Sequence, residues 1–477
     1  MEQNGLGARG AAICEVPGGY LLFCDQITDD GNFQTHAMVR RLDEFGEVLS
    51  VRDFLSESAR HSNHGIVDPV QRTASGMIAV PVIDDSTGFD RNVSILMCND
   101  LGDTVITYRP IQCNPMDSVV VTMRGMRATS GGGFLVVGSI DSTLQGQGTR
   151  ALLSRIDPQG ELIRATDYGS PDQLFAGVGA EPYLEDGAVI FGYRLAPGID
   201  DMNFLIRVNG VGEELWRRFM GSEAGASYGS VKVSPDGNIV TWCRYDEDGE
   251  DNYWETVLCK WDPDGGLIWQ KRANHGYQTS TFDMEVLDDG TFIATVTVDE
   301  KGLLCKYSAD GDSLWTRTHT VFSNTAYHIL WDVEPTSDGG FVACGEVIQS
   351  GEDPQPGLAT IWMIKTDALG CVVPGCQNVG VQEYVLDLTE QLQLSPNPAS
   401  DKVQVRLPLP EQITWRGAVQ AVVQDARGAE VLRMPLTTSQ DLIAGDLDVS
   451  GLCAGTYHVH VVGNNRWLAG GKVVVAH

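Results

Sequence analysis

The sequence has little positive charge and no long hydrophobic segment. It contains 33 Lys and Arg against 64 Asp and Glu, which gives a formal net charge of −31. A field of this sign repels phosphate groups and argues against nucleic acid or an anionic membrane surface as a partner. No run of about 18 apolar residues occurs, so the sequence predicts no membrane insertion. The N-terminal segment lacks a basic start followed by an apolar stretch, so we expect either a cytosolic protein or one whose leader peptide is absent from this sequence.

Helical periodicity is also missing, and a repeated strand pattern takes its place. Seven segments combine a Gly turn, an apolar strand, a polar loop, a second apolar strand and an Asp/Asn-x-x-Gly turn. The opening turns align, at spacings of about 50 to 57 residues, on Gly19, Gly76, Gly133, Gly187, Gly237, Gly290 and Gly340. Four short strands per repeat predict an all-β protein with a seven-bladed β-propeller. Solenoid coils are shorter and tandem sandwiches need about 100 residues each, so both alternatives fit less well.

Three tryptophans occupy equivalent positions in successive repeats, namely Trp216, Trp269 and Trp315. The pattern over residues 11–378 resembles the secreted bacterial propellers of the delta-60 or quinoprotein-like repeat type. That resemblance implies a propeller fold. The cofactor ligands of quinone-dependent propellers are not found, so we interpret the tryptophans as locks between neighbouring blades.

One face of such a propeller carries the long connections, and function concentrates on long loops. Several of these connections contain His and Tyr side chains that we expect near the mouth of the central channel: His61, His64, His275, Tyr277, Tyr327 and His328. Aromatic and imidazole groups around a concavity suit carbohydrate or peptide binding. The same face has acidic loops, in which Asp246, Asp248 and Asp251 are candidate calcium ligands; a solvated polar loop is the alternative.

The chain has eleven cysteines, and their positions indicate two roles. Cys98, Cys259 and Cys305 occupy equivalent apolar strands, where a free cysteine behaves as a small hydrophobe. Cys371 and Cys376 close a Pro-Gly turn and predict a local disulfide. A disulfide implies an oxidising compartment.

The pattern changes at Leu392. The last 85 or so residues contain six or seven short strands with turn signals between them, which predicts a small immunoglobulin-like β-sandwich. We therefore expect a propeller over residues 1–378, a linker over 379–392 and a sandwich over 393–477.

The predicted sandwich contains four short motifs in a fixed order: a P-N-P-A turn, a D-x-x-G hairpin, an L-x-x-G-x-Y segment and a lysine in the last strand. Their residues are Pro396, Asn397, Pro398, Ala399, Asp425, Gly428, Leu452, Gly455, Tyr457 and Lys472. This order resembles the type A C-terminal sorting domain of the type IX secretion system of Bacteroidetes. The resemblance implies that the secretion machinery acts on residues 393–477, and that the protein is then released or attached to the cell surface.

These observations predict an exported propeller that binds an extracellular glycan or protein, with calcium as its possible cofactor. The alternative is an extracellular hydrolase or lyase whose site lies on the long-loop face. No catalytic residue is predicted, and a binding protein is the favoured reading. A buried carboxylate or His pair with a perturbed pKa in one pocket would favour the enzyme.

Overall fold

The computed structural model describes most of the chain. The described residues are 5–28, 34–53, 61–62, 70–84, 92–111, 120–141, 148–170, 173–196, 199–220, 229–245, 255–273, 280–322, 326–350, 358–372, 388–409, 418–439, 442–463 and 466–476. They form two compact units, Met1–Lys365 and Thr366–His477. Within them no helix is long and apolar enough to span a membrane.

The first unit is the predicted seven-bladed propeller, built from antiparallel sheets whose strands follow one another in chain order, except that two short strands of blade 2 pair with the same neighbour. Blade 1 contains β1 (Gly5–Val16), β2 (Gly19–Thr28), β3 (Gln34–Leu42) and β4 (Val48–Asp53). Blade 2 contains β5 (His61–Ser62), β6 (Gln71–Arg72), β7 (Ile78–Asp84), β8 (Asn92–Cys98) and β9 (Thr104–Ile111). Blade 3 contains β10 (Val120–Ala128), β11 (Phe134–Asp141), β12 (Thr149–Ile156) and β13 (Leu162–Tyr168). Blades 4 and 5 contain β14 (Leu174–Tyr183), β15 (Gly187–Ala196), β16 (Ile199–Val208), β17 (Glu214–Met220); β18 (Gly229–Val233), β19 (Ile239–Tyr245), β20 (Glu255–Trp261) and β21 (Leu267–Ala273). Blades 6 and 7 contain β22 (Ser280–Val286), β23 (Phe292–Val298), β24 (Lys301–Tyr307), β25 (Ser313–His319); β26 (Tyr327–Pro335), β27 (Phe341–Ile348) and β28 (Ala359–Thr366).

The Asp/Asn-x-x-Gly turns connect the third and fourth strands of the blades. In each of these turns the side chain of the first residue accepts hydrogen bonds from backbone N–H groups of the turn. Asp157 Oδ1 accepts hydrogen bonds from the backbone N–H groups of Gln159 and Glu161 at 2.9 and 2.8 Å. The same pair of bonds occurs at Asp43, Asn99, Asn209 and Asp262. A short acceptor at the first position therefore specifies the turn locally, which is why the repeat can be read from the sequence.

The core of the propeller lies between blades. Seven apolar clusters occupy the seven contacts between neighbouring sheets of the described chain. Between blades 1 and 2, for example, Leu21 and Phe23 pack against Ile78 and Val80, and all four are fully buried. Burial of each such side chain contributes about 1.5–3 kcal/mol, so the sheets are held face to face chiefly by the hydrophobic effect.

The tryptophans of the fourth strands lie on the next blade. Trp216 Nε1 donates a hydrogen bond to the carbonyl of Pro263 at 3.0 Å. Trp269 covers Gly311, where a Cβ atom would come within 2.7 Å of the indole, and Trp315 contacts Phe341 with ring centroids 6.0 Å apart. These contacts join blades 4 to 5, 5 to 6 and 6 to 7.

Contacts between blades 1 and 7 close the ring. Strand β1 lies against β26 and β27. The backbone N–H of Ile13 donates to Asp332 Oδ2 at 2.7 Å, and Glu15 accepts hydrogen bonds from the N–H and hydroxyl of Ser337 at 2.7 and 2.8 Å. Blade 1 is built entirely from the N-terminal segment, so side-chain packing and these hydrogen bonds join the two ends of the propeller.

The second unit is the predicted sandwich. It contains a 3-10 turn at Thr389–Gln391, then β29 (Gln393–Ser395), β30 (Lys402–Pro408), β31 (Val419–Gln424), β32 (Glu430–Thr438), β33 (Leu442–Asp448), β34 (Gly455–Gly463) and β35 (Arg466–Val475). The strand order is β29-β30-β33-β32-β31-β34-β35. Val403, Val405 and Leu407 alternate with exposed residues along β30 and enter one apolar core with residues of the other strands. Period-two alternation thus puts one face of each strand in the core.

Candidate functional site

The innermost strands of the propeller surround a central channel, and charged side chains close it near the turns that join the first and second strands. We call Arg127, Glu181, Lys232 and Glu285 the floor residues. They lie on β10, β14, β18 and β22, one residue per blade. Arg127 Nε is 2.6 Å from Glu181 Oε1, and Lys232 forms an ion pair with Glu285. Each pair joins neighbouring blades.

Arg127 also reaches across the ring. Its Nη2 atom lies 3.3 Å from Glu285 Oε1, although the two residues belong to blades 3 and 6. All four floor side chains are at most 17% exposed, so these are buried ion pairs. Loss of one partner from such a pair typically costs about 3–5 kcal/mol. The floor therefore obstructs the channel at this level and ties opposite sides of the ring together.

The opposite end of the innermost strands carries a different set of side chains, which we call the mouth cluster: Arg9, Phe282, Tyr327, Trp331 and Glu346. Arg9 Nε and Glu346 Oε2 form an ion pair of 2.9 Å between β1 and β27. The Phe282 and Trp331 rings meet edge to face, with centroids 4.5 Å apart. Trp331 is half-buried, and Tyr327 begins the same strand with 36% of its surface exposed.

The environment of Glu346 perturbs its ionisation. Burial raises the pKa of this carboxyl, while the Arg9 guanidinium and the Trp331 side chain oppose the rise. Burial, with smaller contributions from the negative charges of Glu300 and Glu346, raises the pKa of Tyr327. The phenol is therefore neutral at physiological pH and can both donate and accept a hydrogen bond.

Irregularities in the strands position the aromatic residues of the mouth cluster. The pairing of β22 with β23 shifts between Thr281 and Met284, and that of β26 with β27 shifts between Leu330 and Asp332. Phe282 and Trp331 lie inside these two shifts. A bulge re-aims a side chain that regular alternation would direct elsewhere. Neither aromatic is among the predicted site residues, because regular alternation along unbroken strands does not direct them to the mouth; the available signal was the Trp-Asp and Phe-Asp pairs that break alternation.

The structure describes only part of the predicted His and Tyr site. Tyr327 lies in the mouth cluster. His328 is fully buried; its two ring nitrogens lie 2.9 Å from the Glu300 carbonyl and 2.7 Å from the Val321 carbonyl, and its ring packs against Trp362 with centroids 5.3 Å apart. His61 is described only as a backbone position in β5. The other predicted residues, His64, His275 and Tyr277, lie outside the described residues.

The predicted calcium ligands Asp246, Asp248 and Asp251 also lie outside the described residues. Across the part of the chain that is described, no group of three or more His, Cys, Asp or Glu side chains is arranged to hold a metal ion. Calcium binding by the acidic loop therefore remains a prediction.

Cysteine chemistry separates the two predicted roles. Cys98, Cys259 and Cys305 are buried and form no disulfide, as their apolar strands indicate. Cys371 is disulfide-bonded. Its predicted partner, Cys376, lies outside the described residues, so the pairing itself stays a prediction.

In the second unit, residues of the P-N-P-A motif form hydrogen bonds with the last strand, β35. Asn397 Nδ2 donates to the carbonyl of Lys472 and its Oδ1 accepts from the N–H of Val474, each at 2.9 Å. Ala399 bridges Val475 in parallel orientation. The P-N-P-A turn thus lies along β35, although the two segments are more than 70 residues apart in the chain.

The other motifs also build the fold locally. Asp425 Oδ1 accepts from the N–H groups of Arg427 and Ala429, each at 2.9 Å, and closes the β31–β32 hairpin. The Tyr457 hydroxyl donates to the Cys453 carbonyl at 2.8 Å, across the turn that precedes β34. A model of the secretion system C-terminal sorting domain matches residues 393–476.

Residues 393–476 form a type IX secretion sorting domain. The protein is therefore a secreted seven-bladed propeller of Bacteroidetes type, and its sorting domain directs it to the cell surface through the type IX machinery. The repeat type of the propeller is not assigned by this match.

The chain is similar to several solved structures, of which a puromycin hydrolase supports the fold. A search of curated proteins found no match. A puromycin hydrolase mutant complexed with PGG aligns with 84% of this chain and 58% of its own, at 11% identity and a TM-score of 0.51. The polysaccharide lyase Uly1 aligns at 9% identity over 75% of this chain and 90% of its own, with a TM-score of 0.44. A Bacteroides caccae protein of unknown function aligns at 12% identity over 66% and 94%, with a TM-score of 0.37.

Proposed function

We propose that the propeller is a binding module that the sorting domain delivers to the cell surface, and that it holds its ligand at the mouth cluster. The observation that carries this proposal is the contrast between the two ends of the innermost strands. The floor residues satisfy one another, whereas the mouth cluster combines aromatic surface with a partly exposed guanidinium: Arg9 is 35% exposed and Tyr327 is 36% exposed. Apolar surface with a few placed polar groups is the usual composition of a ligand site.

The same proposal assigns a role to each part of the chain. Residues 1–378 form the binding domain, residues 379–392 connect it to the sorting domain, and residues 393–477 provide the export signal. Cleavage in the connecting segment after export would leave the propeller as the mature binding module.

A photoreactive residue tests the location of the site. We replace Tyr327 with p-benzoylphenylalanine in the full chain, add the protein to intact cells of its source bacterium and irradiate. The control replaces Ser130, which is exposed at the opposite end of the innermost strands. Covalent adducts from position 327 but not from 130 support the proposal. Equal labelling at both positions, or none from 327, contradicts it.

The second candidate function is a hydrolase or lyase. Glu346 favours it, because a buried carboxyl with a raised pKa can act as a general acid. The proximity of Arg9 favours the ionised carboxylate and weighs against that role. Incubation of the full chain with surface polysaccharides, followed by mass spectrometry, separates the two functions. Products formed by the native protein but not by Glu346→Gln would establish the enzyme.

A further inference from the structure

We infer that the ligand of the mouth cluster is a neutral saccharide, whose pyranose ring lies against Trp331 while its hydroxyl groups bind Arg9 and Tyr327. This inference rests on the proposed binding function and names the class of ligand. Three features of the described residues support it: the aromatic surface, the ion pair and the charge of the protein.

The aromatic surface provides the platform. The edge-to-face contact with Phe282, at 4.5 Å and 64°, orients the Trp331 indole. Phe282 is 9% exposed and packs against the buried side of the indole, while part of the Trp331 surface stays accessible. A large ring held by packing offers contact area at little cost in side-chain entropy. The axial C–H groups of a pyranose form an apolar face that suits such a platform.

The ion pair provides the polar contacts. Arg9 Nε is 2.9 Å from Glu346 Oε2, and the remaining guanidinium N–H groups belong to a side chain that is 35% exposed. A guanidinium donates hydrogen bonds in a planar fork. The Glu346 carboxylate, with 3% of its side chain exposed, holds this fork in place, and the exposed part of the Arg9 guanidinium is available to donate to sugar hydroxyl oxygens. Tyr327, exposed on the same strand as Trp331, adds a neutral hydroxyl group.

The charge of the protein selects against acidic sugars. Arg9 is already paired with Glu346, so the guanidinium is not an uncompensated cation. The formal net charge of −31 opposes the approach of sulfated or uronate-containing glycans. The same groups remain suitable for hexoses and N-acetylhexosamines, which carry no charge.

The test measures saccharide binding by the full chain. A panel of neutral oligosaccharides is compared with sulfated and uronate-containing oligosaccharides of equal length, and affinities are determined by titration calorimetry. We expect binding of at least one neutral oligosaccharide, and a loss of at least tenfold in affinity for both Arg9→Gln and Trp331→Leu. The matched control is Arg72→Gln, because Arg72 also pairs with a carboxylate, that of Asp100, but lies at the opposite end of the innermost strands.

The outcomes separate the two proposals. Binding confined to acidic saccharides, or neutral binding that both Arg9→Gln and Trp331→Leu leave unchanged, overturns this inference. Thermal melting of each variant identifies any that is unfolded, and the remaining variant then decides. Adducts from position 327 without saccharide binding would overturn the saccharide inference while retaining the binding function; absence of both would remove both.

Discussion

The histidine pair of β34 should make the sorting domain sensitive to mild acid. His458 and His460 stack with ring centroids 6.4 Å apart, and His460 Nδ1 accepts a hydrogen bond from Trp467 Nε1 at 3.2 Å. Burial, together with the neighbouring His458, lowers the pKa of His460 from 6.5 to about 4. A protonated Nδ1 could not accept the Trp467 hydrogen bond, so protonation and the native contact exclude each other.

The sign and size follow from proton linkage. Because the folded pKa lies below the unfolded value, the unfolded state binds more protons between pH 6.5 and pH 4. The stabilisation is complete above pH 6.5 and is lost as the pH falls toward 4. At 1.36 kcal/mol for each pKa unit, the sorting domain should lose about 2 kcal/mol between pH 7 and pH 5, and about 3 kcal/mol by pH 4.

Hydrogen exchange with mass spectrometry measures this loss in the intact protein. After correction for the intrinsic rates, amides of Gly455–Gly463 should lose about 2 kcal/mol of opening free energy between pH 7 and pH 5. The variant His460→Gln should remove most of that dependence, whereas His36→Gln, a histidine variant in the propeller, should leave it. The reasoning is refuted if His460→Gln retains the full pH dependence.

Four further predictions concern single features of the fold. Gly311→Ala and Gly339→Ala both place a Cβ at a positive φ, +79° and +82°, but only the first meets a neighbour, at 2.7 Å; urea unfolding should show a loss of about 1–2 kcal/mol for Gly339→Ala and about 1–3 kcal/mol more for Gly311→Ala, and equal losses would contradict the blade contact. Arg127→Ala should cost about 3–5 kcal/mol in the same assay, because it removes the buried cation that pairs with both Glu181 and Glu285; a loss below 1 kcal/mol would show that the floor is solvated. Asn397→Ala removes two hydrogen bonds to the last strand and should lower the free energy of unfolding by about 2 kcal/mol. It should also lower surface display, measured by antibody labelling of intact cells; unchanged display would show that the motif is not needed for export. Calcium should raise the melting temperature if the acidic loop 246–251 binds it, and identical curves in calcium and in EDTA would exclude that site.

The repeat could be read from the sequence because its signals are local. Each Asp or Asn that opens a turn accepts hydrogen bonds from N–H groups two and four residues ahead, as Asp157 does. The period of two along β30 identifies its buried face in the same way. The sorting motifs are equally local in their turns, so both the blade number and the sorting domain could be predicted.

The candidate site could be predicted only in part. Tyr327 was found because it lies near the end of a long connection, and His328 was grouped with it for the same reason. Because neighbouring residues of a strand point to opposite faces, the His328 side chain points inward and is fully buried. Arg9 and Glu346 were missed because 337 residues separate them, and only closure of the ring brings blades 1 and 7 together.

The sequence alone determined the number of blades, the sorting domain and the export route, because the turns and alternating strands that reveal them are specified by residues close together in the chain. The tertiary structure decided how the ring closes, which charges obstruct the channel and which aromatics reach its mouth. Those features depend on contacts between blades and on bulges that re-aim individual side chains, as at Trp331. Sequence spacing carries no information on a contact such as that between Arg127 and Glu285, which forms only when seven sheets complete a circle.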